Sequence, residues 1–145
     1  MGKVADDDEA LRGILTSATT IAVVGLSRSA DKDSHRVASY LMAQGYRIIP
    51  VNPGAEEILE QRCFPDLAAV NQPVDVVQIF RPAQDVPPIV EQAIAAGART
   101  VWMQLAIRHD AAAARAAAAC LTVVQDRCMA VEHHRLIGGG GGEAA

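Results

Sequence analysis

The stretch Val24-Gly25-Leu26-Ser27-Arg28-Ser29-Ala30 carries the residue types of a phosphate cradle. Gly25 permits a tight turn, and Ser27 and Ser29 add hydroxyl donors beside the backbone N–H groups. Arg28, Lys32 and Arg36 bring positive charge to the same loop and to the helix start that follows it. The pattern is not G-x-G-x-x-G, because Ser27 and Ala30 replace the second and third glycines. It is not the G-x-S-x-G of a nucleophile elbow either, because Ser29 takes the last glycine's place. An ordinary turn with solvated charges fits the same residues, and both readings stay open.

Three further segments end apolar runs with residues able to hold a ligand. Pro50-Val51-Asn52-Pro53-Gly54 has Asn52 where a nicotinamide-dinucleotide site usually carries an acid for the ribose hydroxyls. The missing acid argues against that dinucleotide; a plain Asn-Pro-Gly turn is the alternative. Ile79-Phe80-Arg81-Pro82 offers a ring to stack on a purine and a guanidinium to pair with a phosphate, or else a core cap and a solvated charge. In Trp102-Met103-Gln104-Leu105, Gln104 is expected to face the cleft and Trp102 the core. Cys128 beside Arg127 reads as a buried, inert thiol rather than a reactive one. His133 and His134 sit near a loose tail and are assigned no catalysis or metal.

These segments need elements to position them. Leu11, Ile14, Leu15 and Ala18 share a helical face in 7–18, with acids at its start. Strands are predicted at 20–25, 46–51, 74–80, 99–105 and 121–124. Between them come helices at 34–44 (Ser34 as N-cap, Gly45 as stop), 85–96 (Asp85 as cap, prolines in the first turn, Gly97 as stop) and 110–119. The crossover 52–73 is irregular, with helical turns expected at 56–61 and 66–71. A strand about every 25 residues is the beat of β-α units. The fold class is therefore α/β: a Rossmann-like three-layer sandwich with a five-stranded parallel sheet of order 3-2-1-4-5. Ligands bind outside the carboxyl ends of such strands, where strand order reverses. One domain is expected over 1–137, and a disordered glycine-rich tail over 138–145.

Composition agrees. Half of the 145 residues are apolar but only 3% are aromatic, so the core is aliphatic, as suits a parallel sheet buried on both faces. Thirteen Lys and Arg against seventeen Asp and Glu leave a net charge of −4, with no global basic field for nucleic acid. No apolar run approaches the ~20 residues of a membrane span. The acidic start (Asp6, Asp7, Asp8, Glu9) is unlike a secretory signal. Three cysteines without C-x-x-C read as reduced thiols in a cytoplasmic protein, with no zinc site.

Taken in order, VVGLSR (23–28), Ser34–Arg36 with VASYL (37–41), GYRIIPVNPG (45–54), VDVVQIFRP (74–82), AIAAGARTVWMQL (93–105) and VVQDRCMAVEH (123–133) resemble the stand-alone CoA-binding domain family. Its fold is also that of the N-terminal domain of the succinyl-CoA synthetase α subunit. The resemblance runs from about Ile14 to Arg135. It implies coenzyme A across the strand ends, with Gly25, Ser27 and Arg28 lining the pyrophosphate turn and Asn52 and Pro53 flanking the nucleotide; Leu26, Ser29, Lys32 and Arg36 join the candidate cofactor site by their place in the same turn and helix start. It further implies Phe80, Arg81 and Pro82 along the adenine, and Met103 and Gln104 near the start of the pantetheine arm. The chain departs from the family pattern at Glu60 and Ala106, where glycine is frequent and permits close ligand approach.

The synthetase's phosphorylated histidine and its nucleotide site belong to regions this chain lacks. No nucleophile here has an oriented base. The expected function is therefore a non-catalytic coenzyme A or acyl-CoA carrier, sensor or regulator. An NAD(P)-binding redox domain, a Ser27 or Cys128 enzyme, and a subunit completing a ligase in trans are the alternatives. A homodimer or a protein partner stays open.

Overall fold

The strands form because short β-branched runs are walled off by turns, and each is buried on both faces. They are β1 (Thr20–Val24), β2 (Arg47–Val51), β5 (Val76–Ile79), β6 (Thr100–Met103) and β7 (Thr122–Val124), joined in one parallel sheet. Between β2 and β5, β3 (Glu57–Ile58) and β4 (Gln61–Arg62) make a small antiparallel hairpin. The helices are α1 (Asp8–Ser17), α2 (Asp33–Ala43), α3 (Val86–Ala95), α4 (Asp110–Ala118) and α5 (Met129–Ile137). This computed structural model describes residues 2–138; the expected tail lies, beyond Gly138, outside the described residues.

The five-stranded parallel α/β sandwich is as expected, but its strand order is β2-β1-β5-β6-β7 and not the predicted 3-2-1-4-5. The third strand of the main sheet pairs with β1, Ile21 opposite Val76 and Val24 opposite Ile79, instead of lying outside β2. Pro50 supplies the physical reason. It has no N–H to give to a ladder, so β2 suits an edge, and an edge is what it forms. The free side of β2 is covered by Phe64, whose N–H donates to the Pro50 carbonyl at 3.0 Å. The other edge, β7, is covered by the N-terminal segment: Ala5 N–H donates to Val123 C=O and Val123 N–H to Lys3 C=O. The order reverses between β1 and β5, and that is where a ligand crevice is expected.

One face of the sheet (Ala22, Val77, Ile79, Val101) packs on α3 and α4 through Val86, Ile89, Val90 and a run of small alanines. The other face (Ile21, Val23, Val76, Trp102) packs on α1, α2 and α5 through Leu11, Leu15, Leu41 and Met129. Trp102 is fully buried, as predicted, and its indole donates to the Arg127 carbonyl.

Several predicted boundaries move. Ser34 is not the N-cap of α2; Lys32 holds that position, and the Ser34 hydroxyl accepts the N–H of Ser27 instead. Asp85 stands at the N-cap of α3 but its carboxylate bonds Arg81 rather than capping. The turn predicted at 56–61 is part of the β3–β4 hairpin, whereas the one after Asp66 is present as a 3₁₀ turn, Leu67–Ala69. The supposed loose tail around His133 is α5, tied to α1 by the Arg135–Asp8 pair at 2.8 Å.

Helices α2, α3 and α4 stop in the same way. The N–H groups of Tyr46, Ala98 and Leu121 reach back to the carbonyls of Leu41, Ala93 and Ala116. That closure needs a left-handed residue just before, supplied by Gly45 (φ 103°), Gly97 (φ 76°) and Cys120 (φ 74°). A side chain in that conformation costs about 1–2 kcal/mol. Cys120→Gly is therefore expected to stabilise the chain by about 1 kcal/mol, less what glycine adds to the freedom of the unfolded chain. Urea unfolding measures it; an unchanged or lower midpoint would contradict the account.

His133 is buried, with Nδ1 3.0 Å from the Tyr40 hydroxyl and its ring edge-on to Tyr40 and Tyr46. Burial, with the neighbouring His134 charge, holds its pKa below the usual histidine value. Its folded pKa is thus below the unfolded one, so the unfolded chain binds the proton more readily. The stability it allows is complete above about pH 6.5 and falls as pH drops, by at most about 1.4 kcal/mol per pH unit. Unfolding free energies at pH 7.5 and 5.5 should show this loss, and His133→Gln should flatten it. A slope that survives the substitution would assign it elsewhere.

Candidate functional site

The turn after β1 is built to present amides. Gly25 is left-handed (φ 91°), and its N–H donates to Val51 C=O, closing the turn onto β2. Ser27 N–H goes to the Ser34 hydroxyl at 2.9 Å, and Ser29 N–H to the Ser27 hydroxyl at 3.0 Å. The N–H groups of Leu26, Arg28 and Ala30 make no hydrogen bond among the described residues. The loop thus holds spare donors just ahead of α2, the arrangement that receives a phosphate. Leu26 is fully buried as a whole residue, so the spare donors that reach the surface of the turn are those of Arg28 and Ala30.

Asn52 locks this loop to the next one. Its amide nitrogen donates to Leu26 C=O at 2.9 Å and its oxygen accepts Gly54 N–H at 2.7 Å. An Asp or Glu could not donate to that carbonyl. The acid typical of dinucleotide sites would lose this bond at the position.

These loops frame a cleft of about 440 Å³ at the carboxyl ends of β1, β2 and β5, on the switch point. Gly25, Ser27, Asn52, Pro53 and Arg81 line it, and Pro88, Ile89 and Gln92 of α3 close one wall. Of the predicted cations, Arg28 and Lys32 are exposed and make no ion pair among the described residues. Arg28 overhangs an adjoining recess with Pro53 and Gly54. Arg81 pairs with Asp85 at 2.9 Å, while Arg36 pairs with Asp33 and turns to a different cavity. Ser29 and Pro82 are exposed at the rim.

The remaining predicted residues are not in that cleft. Phe80 and Gln104 line a second cavity of about 310 Å³, between α2 and α5 beyond the end of β6. Met103 is wholly in the core on the α3–α4 side. Gln104 is buried and bonds Gln78, a polar residue inside VDVVQIF that the sequence reading passed over. A lone polar residue in an apolar strand was the available signal. The segment Phe80-Arg81 separates the two cavities, Arg81 lining one and Phe80 the other. A third cavity, about 280 Å³, lies at the opposite ends of the strands beside Lys3, Asp75 and Arg99. There Asp75 accepts the N–H groups of Thr19 and Thr20, which holds its carboxyl below the usual range.

Both departures from the family pattern are left-handed, Glu60 at φ 61° and Ala106 at φ 71°. The glycine frequent at these places therefore answers a backbone requirement. Ala106 meets it with help from Asp126, whose carboxylate accepts the Ala106 N–H at 2.5 Å.

Comparison with known proteins bears on the site. The sequence matches the model of a family described as a CoA binding domain over residues 19–134. It is 33% identical over 121 residues to the uncharacterized protein YneT of Bacillus subtilis, covering 83% of this chain and 90% of that protein. A solved structure of a hypothetical protein from Pyrococcus horikoshii OT3 superposes with a TM-score of 0.89 at 39% identity, covering 92% of this chain and 94% of that one. The chain is also 35% identical over 75 residues to the ADP-forming acetate–CoA ligase II of Archaeoglobus fulgidus, spanning 11% of that enzyme. Among the described residues no helix is long and apolar enough to cross a membrane.

Proposed function

The chain belongs to the CoA binding domain family, and we propose that it binds coenzyme A across the carboxyl ends of β1, β2, β5 and β6, as a carrier or sensor that performs no chemistry by itself. The observation that carries this reading is the pair of unspent amides at Arg28 and Ala30, on the exposed loop whose Gly25 and Ser27 line a cleft at the strand-order reversal. The pyrophosphate takes those amides and the Ser27 hydroxyl. The adenosine lies between Pro53 and Arg81, and the pantetheine arm passes Phe80 toward Gln104. Arg28 and Lys32 supply charge for the 3′-phosphate. Asn52 brings no carboxylate for the ribose hydroxyls, and its amide is engaged with both loops, which disfavours the nicotinamide dinucleotide reading.

Ser27 is a phosphate donor in this reading, since its hydroxyl already accepts from Ser29 and no histidine among the described residues is bonded to it. Titration calorimetry tests the site. Dephospho-CoA should bind about tenfold more weakly than coenzyme A, the worth of one charge-assisted contact, and Arg28→Ala should narrow that gap. Equal affinities in the parent chain would rule out the 3′-phosphate contact. In the same samples, short acyl-CoA thioesters should stay intact; steady hydrolysis abolished by Ser27→Ala would overturn the non-catalytic reading.

A further inference from the structure

The coenzyme A reading leaves the cavity between α2 and α5 with a task of its own. We propose that it is an acyl site: it takes a short, unbranched, uncharged acyl group of an acyl-CoA, with the Gln104 amide donating to the thioester carbonyl. The inference rests on that reading and names the ligand class within it.

Gln104 carries the argument. It is 4% exposed and lines the cavity. Its Oε1 accepts both the Met129 N–H and the Gln78 Nε2, each at 2.9 Å. The Met129 N–H can only donate, so the amide of Gln104 cannot be flipped. Its nitrogen is left with two donors that no hydrogen bond among the described residues uses. A buried, oriented N–H₂ at the wall of a cavity calls for an acceptor, and an acyl carbonyl is one.

The rest of the wall is apolar: Val37, Phe80, Leu105, Ile107 and Val131, with the Cys128 thiol. Leu105 is 65% exposed and Val131 58%, two of the four exposed large apolar side chains among the described residues, and both belong to this one cavity. A hydrocarbon chain seated between them would take apolar surface from water on both sides. The charged groups at the rim, Asp33 and Arg36, neutralise each other, so nothing there favours a terminal carboxylate on the acyl group.

Calorimetry on the intact chain separates the outcomes. Affinity should rise about fourfold per added methylene from acetyl-CoA to butyryl-CoA, from the transfer value of a buried methylene. Succinyl-CoA should show no such gain. The butyryl-to-acetyl ratio should fall to near one in Leu105→Asp and in Val131→Asp, both surface changes. S-butyl-CoA, which lacks the carbonyl, should bind about five- to tenfold more weakly than butyryl-CoA. Equal binding of acetyl-CoA and butyryl-CoA, or a gain that survives both substitutions, would overturn the acyl site while leaving the coenzyme A site standing. A chain that binds none of these thioesters, nor coenzyme A, would overturn both.

Discussion

Coenzyme A at about a hundred times its Kd is expected to stabilise the folded chain by about 2.7 kcal/mol and to raise its melting temperature by roughly 5–10 °C, with NAD leaving it unchanged. The gain is mass action: the ligand binds the assembled strand ends and has nothing to bind in the unfolded chain. The site joins segments distant in sequence, the turn at Gly25–Ala30, the Asn52-Pro53 turn and the Phe80-Arg81 corner, which only the sheet brings together. A flat melting curve with millimolar coenzyme A, beside a shift with NAD, would transfer the site to the dinucleotide reading.

Gly25→Ala is expected to destabilise the chain by about 1–3 kcal/mol and to weaken coenzyme A binding more than tenfold. A Cβ at Gly25 would stand 3.1 Å from Arg81 Cδ and 3.2 Å from the carbonyl carbon and oxygen of Phe80, on a backbone at φ 91°. The two loops on either side of the switch point would have to part, moving the amides and Arg81 together. Gly45→Ala is the control. That glycine is equally left-handed (φ 103°), but a Cβ there meets nothing within 4 Å. It should lose comparable backbone stability and keep its affinity for coenzyme A. Chemical unfolding and calorimetry on the two variants give the comparison; parallel losses of affinity would mean that the turn has no special part in binding.

Much of this arrangement is readable from the chain itself. The β-α beat shows because each strand is a short β-branched run and two crossover helices end at a glycine, Gly45 and Gly97; the third ends at Cys120, whose left-handed turn carries no such signal. The strand order is also encoded, in Pro50, but an edge signal of one residue is easily outweighed by the periodicity around it. The β3–β4 hairpin is hidden because Leu59 and Glu60 turn through φ 54° and 61° without the Asn-Gly or Asp-Gly that marks such turns. Helix α5 is hidden because its nine residues include Glu132, His133 and His134, two of them buried by partners on α2 and in the Arg127–Arg135 cluster.

The candidate site divides in the same way. The turn proposed to take phosphate is legible because what Gly25, Ser27 and Arg28 offer lies in their own backbone and local charge. Asn52 reads as a ligand contact in the sequence and lines the cleft in the fold; its second part, as a lock between loops, is set by a carbonyl 26 residues away and is not legible locally. Met103 reads as a strand-end contact but alternates into the core. Gln104 is expected in the cleft and instead lines the neighbouring cavity, its orientation set by Gln78 and Met129, which are distant in sequence.

The central claim is that coenzyme A lies across the carboxyl ends of the strands, and a ¹⁵N amide-shift titration tests it most directly. On addition of coenzyme A, the amides of Arg28 and Ala30 should move furthest, as their unspent N–H groups meet phosphate oxygens, followed by those around Asn52 and Phe80. Shifts centred instead on Lys3, Asp75 and Arg99, at the cavity under the opposite ends of the strands, would contradict the account, as would a spectrum that does not change.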